Sequence, residues 1–202
     1  LERDDFDSAL QSFQESLRIK PNYVGAYSNL GLIMQRRGDV AGALDQYKQA
    51  LKLNPHDSEA IQNLGLLLTN VRFERSDPVL LSILNSIVIN KSYCVDDVNI
   101  ANAAINPLKL EPVVEKLLKH RFTRSLSQPL KETIPELSEV PLLMNLMSRS
   151  LLPDLALEVV LTDIRATLLL LISNMKSCPK VLKFQSALAL QCFTNEYIYK
   201  QT

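Results

Sequence analysis

A repeat of 34 residues constrains this chain more than any other feature of its sequence. A shift by 34 residues aligns Ala9 with Ala43, Phe13 with Tyr47, Pro21 with Pro55, Asn29 with Asn63, Leu30 with Leu64 and Gly31 with Gly65. A period of this length is typical of helical solenoids, in which one unit cannot bury its apolar face alone. The sequence therefore predicts stacked helix–turn–helix units at the start of the chain.

The residues of one complete unit fit two closely packed antiparallel helices. Gly31 has no side chain, which predicts close approach of the two helices at this position. Gly38 predicts the turn between them, because glycine adopts backbone conformations that other residues rarely enter. Pro55 follows the second helix, since proline cannot continue helical hydrogen bonding, and Asp57 or Ser58 is expected to cap the next helix.

The register of the repeat predicts where the units begin and end. Leu1 falls inside the first unit, after the point where its first helix would end. Residues 24–57 form one full unit, and residues 58–70 form the first helix of a third. After Asn70 the pattern ends, because the positions equivalent to Ala43 and Pro55 are occupied by Asp77 and Ile89. The sequence therefore predicts about two and a half units within a repeat domain at residues 1–75.

The complete unit also follows a known order of residue types. It reads Tyr27-x2-Leu30-Gly31-x2-Met34, then Ala43-x3-Tyr47, then Pro55. This order resembles the tetratricopeptide repeat (TPR) family. The resemblance implies an all-α fold in which the first helix of every unit lines a concave groove that binds a protein or a peptide. The predicted function is a protein–protein interaction scaffold that is not itself an enzyme.

The predicted groove consists of side chains on the first helices of two successive units. They are Ser28, Asn29, Leu32, Gln35 and Arg36 on one helix and Gln62, Asn63, Leu66 and Thr69 on the next. Asn29 and Asn63 are the strongest pair, because a primary amide offers donors and an acceptor to successive peptide groups of an extended ligand. The pair is similar to the asparagine ladder of O-linked N-acetylglucosamine transferases. The alternative is that each asparagine bonds the backbone of the neighbouring helix.

The scarcity of cationic residues at the predicted groove positions limits the ligands that we expect. The lysine-rich clamp of TPR proteins that bind chaperones is not present, and Arg36 is the only cation near the groove positions. A C-terminal carboxylate is therefore not the expected ligand. The open end of the repeats also allows self-association as a further kind of contact.

Residues 76–202 keep the helical periodicity of apolar residues without the repeat. The predicted helices are Pro78–Ile89, Val95–Ala104, Leu110–Lys119, Val140–Ser150, Leu155–Asn174 and Pro179–Tyr199. Residues 121–139 contain two prolines with several serines and threonines, which predicts a loop with a short helical turn. We expect this domain to be a helical bundle that caps the repeats.

A second resemblance concerns the later part of this helical domain. It rests on Pro141-Leu-Leu, Leu157-Glu158, Leu161-Thr-Asp-Ile-Arg165 and Ala187-Leu-Ala-Leu-Gln-Cys-Phe-Thr-Asn-Glu-Tyr197. These segments look like a helical region of certain bacterial proteins, which join N-terminal TPRs to a class I methyltransferase domain that uses S-adenosylmethionine. The resemblance implies an alternative function, that of a non-catalytic accessory region in a larger methyltransferase.

The composition argues against several other functions. The 22 lysines and arginines balance 22 acidic residues, so nucleic acid and anionic membranes are not expected partners. All five glycines lie at or before Gly65, which leaves no later loop for a nucleotide or another cofactor. Two histidines and three scattered cysteines form no metal or catalytic motif, and they fit a reducing cytoplasmic compartment. The apolar segment 155–172 carries three charges, which predicts a buried helix rather than a membrane span.

Overall fold

The structure is a computed structural model that describes residues 3–90, 98–120, 133–149, 152, 154–171 and 179–199. Throughout these ranges the chain forms helices joined by turns, without a β-strand. The helices are α1 (Arg3–Ile19), α2 (Val24–Arg36), α3 (Val40–Leu53), α4 (Ser58–Asn70), α5 (Pro78–Ile89), α6 (Val98–Leu108), α7 (Pro112–His120), α8 (Pro141–Arg149), α9 (Leu155–Leu171) and α10 (Pro179–Tyr199). A shorter helical segment covers residues 133–137. The predicted all-α fold is confirmed.

The chain divides into two compact units, Leu1–Arg72 and Phe73–Thr202. The first unit contains α1 to α4, and the second contains α5 to α10. Each unit has buried apolar side chains of its own, so each is described separately.

Each helix of the first unit packs against the next helix in the sequence. α1 contacts α2, α2 contacts α3 and α3 contacts α4, while α2 also contacts α4. This order of neighbours is expected of stacked helix–turn–helix repeats, where each helix covers the apolar face of another. The side chains that fill the space between these helices are buried: Ala26, Leu30, Ala43, Tyr47, Ala50, Leu51, Ala60, Ile61, Leu64 and Leu68.

Glycine is needed at two positions of the complete repeat for different reasons. A Cβ atom at Gly31 would lie 2.5 Å from Cε1 of the Tyr47 ring, so α2 and α3 approach closely only because Gly31 has no side chain. Gly38 has a φ of 81°, a conformation that L side chains rarely adopt, and it forms the turn between α2 and α3. Both roles were predicted from the sequence and both are confirmed.

Aspartate side chains fix the start of three successive helices. The carboxylates of Asp39 and Asp57 each accept a hydrogen bond from the backbone N–H three residues later, at 2.9 Å in α3 and 2.8 Å in α4. The Asp77 carboxylate accepts from the N–H groups two and three residues later, both at 3.0 Å, and Pro78 begins α5. These bonds satisfy donors that have no partner within the helix. Asp57, rather than Ser58, is the cap of α4.

Tyr47 joins the two helices of the complete repeat. Its side chain is entirely buried, and its hydroxyl donates a hydrogen bond to Oε1 of Gln35 at 2.9 Å. Burial raises the pKa of Tyr47 to about 12, because a phenolate would lose its hydration, and the Glu59 carboxylate adds to the shift. The folded repeat therefore holds this side chain as the neutral phenol.

We expect the first unit to lose stability as the pH rises from 10 to 12. In this window the unfolded chain releases the Tyr47 proton at its ordinary pKa of 10.0, whereas the folded chain keeps the proton until its pKa of about 12. The unfolded state then binds fewer protons, so the free energy of unfolding falls by about 1.4 kcal/mol per pH unit. Below the unfolded pKa this group adds no pH dependence. Urea denaturation followed by circular dichroism across this pH range measures the slope.

Tyr47→Phe is the control for this measurement, because every other titrating group is the same in both proteins. At pH values below this range the variant loses about 1 kcal/mol with the hydrogen bond to Gln35. Between pH 10 and 12 the stability of the variant declines less steeply than that of the native chain. Equal slopes in the two proteins would show that the alkaline loss does not come from Tyr47.

In the second unit, α8 lies at the centre of the packing. It contacts α5, α6 and α10, and α7 contacts α9. Five of the nine residues of α8 are buried, namely Leu142, Leu143, Met144, Leu146 and Met147. The spacing of Leu142, Leu143, Leu146 and Met147 in the sequence predicts one apolar stripe, and all four are buried, as is Met144. The buried surface of α8 covers most of its circumference, as expected of a helix with neighbours on several sides.

The helix boundaries of the second unit lie close to the predicted ones. α5 and α10 begin and end at the predicted residues. α6 continues past its predicted end at Ala104 to Leu108, with Pro107 in its last turn. Ile105 and Leu108 are buried, and their burial outweighs the hydrogen bond that proline cannot donate.

Several predicted features lie outside the described residues. They are the helix start at Val95, residues 121–132 of the loop predicted at 121–139, the helix ends at Ser150 and Asn174, and the side chains of the three cysteines. None of the described helices has both the length and the apolar character needed to cross a bilayer.

Candidate functional site

Asn29 and Asn63 occupy equivalent places on α2 and α4. Each lies six residues after the residue that precedes its helix, which is Tyr23 for α2 and Asp57 for α4. Both asparagine side chains are half-buried. In the part of the chain that the structure describes, neither side-chain amide makes a hydrogen bond. Among the described residues, the structure therefore does not show the alternative, in which each amide bonds the backbone of a neighbouring helix.

A leucine follows each of these asparagines on the same helix face. Leu32 and Leu66 lie three residues after Asn29 and Asn63, a spacing that places two side chains on one face of a helix. Leu66 has 53% of its surface exposed, and Leu32 is half-buried. Gln62, next to Asn63, is exposed. The face shared by α2 and α4 thus offers amides and apolar side chains side by side.

Ser28 does not belong to this face. Its side chain has no exposed surface, and its hydroxyl makes a long hydrogen bond of 3.5 Å to Oδ1 of Asp57, the cap of α4. One residue of α-helix turns by about 100°, so the position before Asn29 points towards the packed side of α2. The burial of Ser28 argues against the predicted contact with a ligand, which stays a prediction.

Gln35 and Thr69 are engaged by their own protein. Oε1 of Gln35 accepts the hydrogen bond from Tyr47, which leaves its NH2 group for other contacts. The Thr69 hydroxyl donates to the backbone oxygen of Leu66 at 2.8 Å and accepts from Nδ2 of Asn70 at 3.3 Å. Both residues lie near the ends of their helices, and both side chains already have a partner within the protein.

Arg36, the predicted groove residue at the end of α2, borders an open cavity of about 520 Å³. The other lining residues in the described part of the chain are Phe6, Asp7 and Arg37. Arg37 forms an ion pair with Asp7, whereas Arg36 is exposed and has no ion pair among the described residues. The sequence did not single out Phe6 or Asp7, because only the packing of α1 on α2 brings them to Arg36.

The described residues contain no cluster of three His, Cys, Asp or Glu side chains that could hold a metal ion. His56 lies in the turn before α4, where its backbone N–H donates to Oδ1 of Asn54 at 3.1 Å. The side chain of His120 lies outside the described residues. What the α2–α4 face offers is amide, leucine and arginine chemistry, which suits hydrogen bonding and apolar contact with a peptide.

Comparison with known families gives two matches at the start of the chain. A family model described as tetratricopeptide repeat matches residues 24–57, and one described as TPR repeat matches residues 1–38. No curated protein and no solved structure matches the chain significantly. The two matches lie before residues 141–197, so they do not bear on the resemblance to methyltransferase-associated helices, which stays a prediction.

Proposed function

We propose that the first unit binds an extended peptide segment of a partner protein, because residues 1–57 match models of tetratricopeptide repeats, which generally mediate protein–protein interactions. The peptide lies along the face formed by α2 and α4. Asn29 and Asn63 bond its backbone, and Leu32 and Leu66 contact its side chains.

The observation that carries this proposal is a pair of amides, Asn29 and Asn63, that have no partner among the described residues. A primary amide that stays half-buried without a protein partner keeps one acceptor and two donors for a ligand. The two amides stand at the same position of helices one repeat apart and share a face with leucines. An extended peptide presents alternating carbonyl and N–H groups, which match such a column.

The charge of the chain fits a protein partner rather than a nucleic acid. Its formal net charge is zero, and recognition of a phosphate backbone requires a concentration of positive charge. We place the protein in the cytoplasm because its three cysteines are widely scattered, a usage typical of reducing compartments.

The double variant Asn29→Ala with Asn63→Ala tests the proposed function. We expect it to weaken binding of peptides selected from a phage-displayed dodecapeptide library by about tenfold or more, because each lost hydrogen bond contributes about 0.5–1.5 kcal/mol. Fluorescence polarisation with the selected peptides measures the affinity. The melting temperature is expected to stay unchanged or to rise slightly, since alanine favours helix formation more than asparagine.

Gln14→Ala with Gln49→Ala is the matched control. These two amides are exposed on α1 and α3, outside the proposed groove, and their loss should leave affinity unchanged. If the asparagine variant binds as tightly as the native chain, the proposed groove is wrong. If it loses stability in proportion to affinity, the asparagines support the fold rather than the ligand.

A further inference from the structure

The hydroxyl of Tyr47 makes a hydrogen bond that the packing of the repeat does not require. Phe13 stands at the equivalent position one repeat earlier, so a ring without a hydroxyl suits this place in the unit. Tyr47 has no exposed surface, and a buried hydroxyl is costly unless it has a partner. Oε1 of Gln35, at 2.9 Å, is that partner. The folded repeat therefore keeps this bond.

The bond to Tyr47 sets the orientation of the Gln35 amide. A primary amide has an acceptor at its oxygen and two donors at its nitrogen. Oε1 is turned towards Tyr47, so the NH2 group is directed away from the buried ring. A half-turn of the amide would take this acceptor away from the buried hydroxyl proton. Because burial raises the pKa of Tyr47 to about 12, the hydroxyl keeps the proton that it donates.

The NH2 group of Gln35 is available to a ligand. Gln35 follows Leu32 by three residues on α2, a spacing that places two side chains on one face of a helix. The Gln35 side chain is half-buried, and Nε2 makes no hydrogen bond within the described ranges. Since Tyr47 lies on the buried side of the amide, the NH2 group forms its accessible side. α2 thus offers oriented N–H donors at this end of the groove.

The equivalent position of α4 has the opposite polarity. Thr69 stands 34 residues after Gln35, and its hydroxyl donates its only proton to the backbone oxygen of Leu66 at 2.8 Å. The same hydroxyl accepts from Nδ2 of Asn70 at 3.3 Å. Thr69 has no further proton to donate, whereas Gln35 has two. The α2 and α4 sides of the groove therefore differ in the ligand group that they can bond.

We propose that Tyr47 is a positioning residue of the groove, which orients the Gln35 amide so that its N–H groups bond a backbone carbonyl of the partner peptide. The inference rests on the proposed function, because Gln35 belongs to the same helix as Asn29. The Asn29 amide, without a partner among the described residues, can turn either its donors or its acceptor to a ligand. Gln35 offers donors alone. It thereby fixes where one peptide carbonyl lies, and with it the register of the bound peptide.

Gln35→Glu tests the donor role, because it reverses the polarity of this position with little change of shape. One carboxylate oxygen still accepts from Tyr47, while the other presents an acceptor to the peptide in place of the donors. We expect the affinity for the peptides selected from the dodecapeptide library to fall about tenfold. Fluorescence polarisation measures the affinity, and circular dichroism shows that the variant is folded. Gln49→Glu adds the same charge at an exposed residue of α3 and should leave the affinity unchanged.

Tyr47→Phe tests whether Tyr47 acts through Gln35. The ring stays, but the amide becomes free to rotate, so the affinity should fall about threefold because the side chain must be ordered on binding. In a Gln35→Leu chain the same substitution should leave the affinity unchanged, since no amide remains to be oriented. A purely structural role of Tyr47 would not produce this dependence on Gln35. The Gln35→Glu comparison does not require the Gln35→Leu chain to fold, because it keeps an acceptor for Tyr47.

The possible results separate this inference from the proposed function. A Gln35→Glu chain that binds as tightly as the native chain would overturn the donor role. An unchanged affinity of Tyr47→Phe, or an equal loss with Gln35 and with Leu at that position, would overturn the positioning role. In each of these cases the loss of affinity in the asparagine double variant would leave the groove standing. Failure to select any peptide would overturn the proposed function, and this inference with it.

Discussion

Phe184→Ala is expected to lower the free energy of unfolding of the second unit by about 3–5 kcal/mol. Phe184 has no exposed surface, and its helix α10 packs against α8. Other buried residues of α10 follow helical spacing: Val181, Ala187, Leu188 and Gln191. Removal of the ring leaves a cavity that rigid neighbours fill only in part, and the lost contacts add to the lost burial. Urea denaturation followed by circular dichroism measures the change.

Leu182→Ala is the matched control on the same helix. Leu182 has half of its surface exposed, so its truncation is expected to cost less than about 1 kcal/mol. Hydrogen exchange read by mass spectrometry on peptides from residues 73–202 shows whether the loss is confined to the second unit. Similar losses from the two substitutions would contradict the packing of α10 on α8.

Gly31→Ala is expected to destabilise the first unit by about 1–3 kcal/mol, although alanine favours a helix interior over glycine by about 1 kcal/mol. The added Cβ would lie 2.5 Å from Cε1, 2.7 Å from Cδ1 and 2.9 Å from Cζ of the Tyr47 ring. Tyr47 is buried and bonded to Gln35, so the ring cannot move aside without loss of packing or of this bond. The helices α2 and α3 must therefore separate.

Gly25→Ala controls for the helix preference of alanine, because Gly25 lies on the same helix. A Cβ atom there would meet Cε2 of Tyr23 at 3.3 Å, but the Tyr23 side chain is 44% exposed and can move. We expect this variant to be neutral or slightly more stable than the native chain. Thermal melting with hydrogen exchange on peptides from residues 3–72 compares the two. A Gly31→Ala chain as stable as the Gly25→Ala chain would rule out the close approach at Gly31.

The parts of the fold that were predictable are those fixed by local chemistry. The need for Gly31 and Gly38 follows from the absence of a side chain, and the 34-residue spacing of bulky and small positions reports the packing of α2 on α3. Helix starts were predictable for a similar reason. Asp77 before Pro78 marks the first turn of α5 with a carboxylate acceptor and a residue that needs no N–H partner.

The candidate site was less predictable, because it depends on the direction of single side chains. The repeat period gave the correct helices, but it could not separate Ser28, which is buried, from Asn29, which is half-exposed. The cavity at Arg36 depends on residues about 30 positions earlier in the chain, as in the ion pair between Asp7 and Arg37. Periodicity indicates which face of a helix is apolar, whereas a contact of this range follows from packing between helices.

The interval of six residues between the start of a helix and its asparagine limits how the repeats can change in length. One residue inserted between Asp57 and Asn63 would turn the amide by about 100° and remove it from the face shared with Asn29. One residue inserted in the turn at 54–56 would leave the interval between the Asp57 cap and Asn63 intact. Insertions and deletions in the turns between units therefore keep the two asparagines on one face. Insertions and deletions within the first half of α2 or α4 do not.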